Sequence, residues 1–132
     1  METTVLLAVA ILFIAFTIGR KLLMRSNPNV KNVSADEAHK LIAENTAIVI
    51  MDVRTKKEYD SGHIFGAILI PVNELSGRVN EFTACHNKPI LVYCASGGRS
   101  PGAVRILLRN NFAEIYHMHS GISSWKYGLQ VS

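Results

Sequence analysis

The chain has 132 residues, 48% of them hydrophobic and 18% charged, with a formal net charge of +4. That much apolar surface excludes an intrinsically disordered chain, and the length suits one domain with little to spare. Two cysteines, Cys85 and Cys94, make neither a disulfide scaffold nor a four-ligand zinc site.

The mean hydropathy of +0.19 is high for a soluble domain, and the excess is local. Thr3 to Gly19 contains no charged residue. As a helix these 17 residues rise about 26 Å, against about 30 Å for a bilayer core, and Leu22, Leu23 and Met24 extend the span if Arg20 and Lys21 snorkel. A cleaved signal peptide wants a basic start and small residues before the cut. Here the run opens on Met1-Glu2 and closes on Ile18-Gly19-Arg20-Lys21, which favours an uncleaved anchor over a signal peptide or a buried core helix. Arg20, Lys21, Arg25 and Lys31 follow the run, and the positive-inside rule then puts the rest of the chain in the cytoplasm. From Asn32 onward ten basic residues face nine acidic ones. The pI of 9.3 is therefore a juxtamembrane effect; it points to a lipid bilayer and not to nucleic acid. The expected organisation is a transmembrane anchor with its basic flank over 1–25, a polar linker over 26–29 and one domain over 30–132.

Val30 to Val33 reads as a short strand. Ser34 and Glu37 form a capping box for a helix whose apolar face is Ala38, Leu41 and Ile42. Ala47 to Met51 is an unbroken apolar run, as in a strand covered on both faces. Glu58 and Tyr59 fall in a short helix ending near Gly62. Ala67 to Ile70 is a second apolar strand stopped by Pro71. Asn73 to Phe82 reads as a helix weakened by Gly77. Pro89 to Tyr93 is a third buried-type strand. Pro101 to Arg109 reads as a helix with Ser100 as N-cap and Pro101 at its first position. Ile115 to Met118 is the last strand, with a short helix around Ser123 to Tyr127. The alternation implies an α/β fold, a five-stranded, mostly parallel sheet flanked by helices, preceded by one transmembrane helix.

The chemistry concentrates in Tyr93-Cys94-Ala95-Ser96-Gly97-Gly98-Arg99-Ser100. An apolar strand runs into a cysteine, a glycine-containing loop and a helix N-terminus. Ligands bind beyond the carboxyl ends of strands in such sheets. Gly97 and Gly98 let successive amides turn inward as an anion-binding nest, and Arg99 adds a full positive charge. A cysteine at the mouth of that nest has a lowered pKa and is a nucleophile. No residue stands out in the sequence as its general base, so the activation is assigned to helix, amides and Arg99. Cys85 has no such context and reads as structural or merely exposed.

Taken together, these pieces resemble the rhodanese family of single-domain thiosulfate sulfurtransferases. The matching residues are Asp52-Val53-Arg54, Gly62-His63-Ile64-Phe65-Gly66-Ala67, the loop Cys94 to Arg99, Tyr116 to Gly121, and Gly121-Ile122 with Trp125. Phe65 departs from the family's usual proline and Ser120 from the first of two glycines. The resemblance implies a ping-pong transfer. Cys94 thiolate takes the outer sulfur of thiosulfate or another sulfane-sulfur donor, and the persulfide lies among the amides of Ala95, Ser96, Gly97, Gly98 and Arg99. Arg99 helps to bind the anionic donor, and cyanide, a thiol or a partner protein accepts the sulfur. It implies no cofactor and no metal.

Several polar residues have structural readings. Arg54 with Glu58 reads as an ion pair bracing the loop, His63 as a turn-stabilising hydrogen-bonding group, and Trp125 as a core plug. His117 and His119 have strand spacing and share a face, without the further ligands a metal needs. Two rival functions remain. Phosphatases and arsenate reductases use a related cradle, but with five residues between cysteine and arginine; Cys94 and Arg99 are separated by four. A non-catalytic, membrane-tethered binding module is the other, and the presence of Cys94 argues against it.

Overall fold

The computed structural model describes residues 1–25 and 27–132; Ser26, the first residue of the expected linker, lies outside the described residues. Helix α1 spans Glu2–Arg25. Its stretch Glu2–Lys21 is long and apolar enough to cross a membrane and buries none of its residues against the rest of the chain, which rules out the core-helix reading.

The remainder follows strand-helix order: β1 (Val30–Val33), α2 (Ala35–Glu44), β2 (Val49–Asp52), α3 (Lys56–Ser61), β3 (Ile68–Leu69), α4 (Val72–Arg78), β4 (Ile90–Tyr93), α5 (Ser100–Arg109) and β5 (Ile115–Met118). Single 3-10 stretches cover Val79–Cys85 and Ile122–Ser124. The expected helix Asn73 to Phe82 is thus split: the α-helix ends soon after Gly77, and the chain tightens into 3-10 geometry. Ser34 caps α2 as expected, with the Glu37 amide donating to its hydroxyl at 3.1 Å. Thr55 and Glu58 form a second capping box at α3.

The five strands form one sheet in the order β1-β5-β4-β2-β3, and every pairing is parallel. β4 is central and wholly buried, which is why its sequence is apolar without alternation. On one face Val92 and Cys94 pack with Leu75, Phe82, Ala103 and Leu107 from the α4 and α5 layer. On the other, Leu91 and Tyr93 pack with Ala38, Ile64 and Met118. Helices on both faces leave the carboxyl ends of β4, β2 and β5 as the edge on which a site can be built.

Candidate active site

Strand β4 delivers Cys94 to that edge, and the chain curls through Ala95 to Arg99 before entering α5. Two glycines make the curl possible. Gly97 has φ of +94°, and a Cβ there would collide with the His119 carbonyl oxygen; Gly121 has φ of +70°, and a Cβ there would collide with the Ala95 carbonyl. The turn after β5 is pressed against the loop at both points. The amides of Ile122 and Ser123 fasten it further by donating to the carbonyls of Cys94 and Ala95 at 2.9 and 3.0 Å.

Inside the curl the Gly97 amide donates to Cys94 Sγ at 3.1 Å, and the amides of Arg99 and Ser100 are also directed at the sulfur. The Ser100 hydroxyl lies 3.3 Å from it. Burial pushes the Cys94 thiol up, but the Ser100 hydroxyl and the three amides outweigh burial and hold it below its ordinary value. Cys94 is only 1% exposed, so its sulfur forms the floor of the cradle. Of the five loop residues singled out from the sequence, Gly97 and Arg99 turn amides to the sulfur, Ala95 anchors the curl, and Ser96 and Gly98 lie exposed on its rim.

Three sequence expectations need correction. Ser100 is the first residue of α5 and not its N-cap; Arg99 occupies that position, and the Ser100 hydroxyl is committed instead to Cys94 and to His117 Nε2 at 2.6 Å. Glu58 does not pair with Arg54. It grips Arg99 through two bonds of 2.7 and 2.8 Å, and this contact, with the Thr55 cap, pulls its carboxyl down to about 2. Arg54 turns inward to Asp52 at 2.7 Å and to the Gly62 carbonyl at 2.7 Å. Tyr93 completes that buried brace: its hydroxyl donates to Asp52 Oδ2 at 2.7 Å and accepts from the Ile64 amide at 3.2 Å. Asp52-Val53-Arg54 therefore ties the end of β2 to the turn after α3 and to Tyr93, the residue before Cys94. Trp125 is half-buried at the margin of the second core, its indole donating to the Gly128 carbonyl at 3.0 Å, and it covers that core's edge without plugging it.

His63 stabilises its turn as expected, with Nδ1 2.8 Å from the Tyr59 carbonyl and its ring stacked on Tyr59. Phe65, at the position of the family's proline, points into solvent. Cys85 is a free, half-buried thiol packed against the first core. His117 is buried while His119 is exposed beyond the end of β5, and no group of three metal-ligating side chains occurs among the described residues. His117 Nδ1 lies 3.1 Å from Asn32 Oδ1 on β1. Sequence reasoning gave neither His117 nor Asn32 a part near Cys94. Only the β1–β5 register, which sets Asn32 opposite His117, brings them together.

Residues 34–127 match the family described as the rhodanese-like domain. Over 96 residues the chain is 33% identical to the thiosulfate sulfurtransferase GlpE of Coxiella burnetii, covering 73% of this chain and 87% of that protein. It is 38% identical over 76 residues to the uncharacterized protein YqhL of Bacillus subtilis, covering 58% of this chain and spanning only 59% of the relative's length. The crystal structure of a rhodanese-like domain protein from Staphylococcus aureus superimposes with a TM-score of 0.69 at 30% identity, over 77% of this chain and 98% of that one.

Proposed function

This chain belongs to the rhodanese-like family, and from that premise we propose that it is a membrane-anchored sulfurtransferase working through a Cys94 persulfide. The observation that carries the reading is the Cys94 sulfur itself. It lies beneath a ring of inward-turned amides and has a lowered pKa, which suits a thiolate and then a persulfide anion.

In the first half-reaction the Cys94 thiolate attacks the outer sulfur of thiosulfate. The new sulfur–sulfur bond forms as the bond to the sulfonate sulfur breaks, and sulfite leaves with that electron pair. In the second, the carbon of cyanide, or the sulfur of a thiolate from a small molecule or partner protein, attacks the terminal sulfur. The Cys94 thiolate is released. The loop amides stabilise the negative charge in each state, and Arg99 attracts the donor when Glu58 yields it. The cysteine carries the sulfur, so the reading assigns no cofactor and no metal. The four-residue spacing from Cys94 to Arg99 makes a smaller ring than the phosphatase cradle and favours a single sulfur atom.

The same reading makes residues 1–25 the anchor, 26–29 the linker and 30–132 the catalytic domain. The basic residues after the span hold that domain on the cytoplasmic side. The test is intact mass spectrometry of the purified chain after thiosulfate treatment. A gain of one sulfur atom, lost on adding cyanide and absent in Cys94→Ser, is expected; no gain in the wild type overturns the proposal.

A further inference from the structure

Behind the sulfur lies a chain of hydrogen bonds that the amide cradle alone does not require. Cys94 Sγ is 3.3 Å from Ser100 Oγ, Ser100 Oγ is 2.6 Å from His117 Nε2, and His117 Nδ1 is 3.1 Å from Asn32 Oδ1. Ser100 and His117 are both buried. The direction of the chain follows from its last member. An amide oxygen only accepts, so His117 Nδ1 carries the ring proton and Nε2 is bare. The Ser100 hydroxyl therefore donates to Nε2, and the Cys94 thiol donates to Ser100. On its other side His117 borders a groove of about 320 Å³ between β1 and α5, lined also by Val30, Asn32, Val104 and Arg105. The ring thus stands between the floor of the cradle and water that is not in the cradle.

We propose that Ser100 and His117 form a proton relay that deprotonates Cys94 and releases the proton to the groove behind α5. The thiol proton moves to Ser100 Oγ as the serine's own proton moves to His117 Nε2. The S–H electron pair stays on sulfur, leaving a thiolate and an imidazolium, and the imidazolium then gives its proton to groove water. The device has a clear use: a donor anion filling the cradle closes the direct path between thiol and solvent, while the rear path stays open. Ser100 touches the reacting sulfur, whereas His117 acts through Ser100 and is a positioning residue. Burial and the neighbouring His119 hold His117 below its ordinary value, so it is neutral and able to accept at neutral pH. The other ionisable groups facing it are Cys94 across Ser100 and Arg105 on the groove wall.

The relay rests on Cys94 being the nucleophile, but its test does not need sulfur transfer. The full chain in detergent micelles, carrying Cys85→Ser, is alkylated with iodoacetamide across a pH series. Once the thiol proton has moved to Ser100 Oγ, that hydroxyl donates to the thiolate and His117 Nε2 holds it in place. His117→Gln and Ser100→Ala should each remove that stabilisation and raise the Cys94 midpoint by about one pH unit, making alkylation about tenfold slower below the midpoint with an unchanged plateau above it. The double variant should shift no further than either single one, because both break the same chain. Asn32→Asp should shift the midpoint downward, since a carboxylate beside Nδ1 favours the imidazolium; a purely structural role gives no such reversal. A His117→Gln midpoint matching its parent, or an upward shift in Asn32→Asp, overturns the relay. If the midpoints move as stated but Cys94 takes up no sulfur, the relay stands and the sulfurtransferase reading fails.

Discussion

Glu58→Gln isolates the charge that Glu58 places on Arg99. Glutamine keeps the capping box with Thr55, because its side-chain oxygen still accepts from the Thr55 amide, so α3 retains its start. What is lost is the carboxylate that accepts the two short bonds from Arg99. That contact is the largest cause, with the Thr55 cap second, of the fall of the Glu58 carboxyl from the usual 4.5 to about 2. The difference corresponds to about 3 kcal/mol between the ionised and protonated forms. The two side chains are 34% and 38% exposed, and screening by water reduces the net worth of the pair to about 1–2 kcal/mol. The sign is fixed by the direction of the shift. A depressed carboxyl contributes its full stability above pH 4.5 and loses it as the pH falls toward 2. Urea denaturation should therefore find the variant less stable than wild type by about 1–2 kcal/mol at pH 7, with the gap narrowing below pH 4.5 and closing near pH 2. Activity should move the other way for an anionic donor. Arg99 is released from its partner, so the KM for thiosulfate should fall. A stability gap that is absent, or constant from pH 7 to pH 2, would refute the electrostatic account of this contact.

Arg99→Ala should raise the KM for thiosulfate while Cys94 still takes up sulfur, because the amides remain; steady-state kinetics with mass spectrometry checks both. Tyr93→Phe removes the 2.7 Å bond to Asp52 and orphans the Ile64 amide, and should cost about 1–3 kcal/mol in urea denaturation. Gly97→Ala must hold a left-handed φ, at about 1–2 kcal/mol, and displace the His119 carbonyl; it should lower the melting temperature and raise the Cys94 alkylation midpoint. In intact cells a membrane-impermeant thiol reagent should label neither cysteine, and permeabilisation should expose them; labelling without permeabilisation would reverse the proposed orientation.

The sheet was readable because its signals are local. Val49 to Met51 and Ile90 to Tyr93 are apolar without alternation because both faces of those strands are covered, and that pattern survives in one dimension. The end of α4 is not readable, for an equally local reason: Asn73 to Phe82 has a helical pattern, but the chain leaves α-geometry just beyond Gly77.

The site divides along the same line. Cys94, the curl and the start of α5 are contiguous, so spacing and residue type point to them directly. The charges around the curl are not contiguous, and proximity in sequence misled. Arg54 is four residues from Glu58 and looked like its partner, but Arg99, forty-one residues away, has the geometry. Arg54 instead meets Asp52, because the two sit together at the end of β2 and turn inward to the Gly62 carbonyl. Asn32 and His117 are further apart still, eighty-five residues, and no local pattern links them. What links them is the parallel register of β1 on β5, together with a serine that helix-capping rules assigned to the wrong task. A capping serine and a relay serine differ only in where the hydroxyl points, and that is decided by β5, which brings His117 to within 2.6 Å of it.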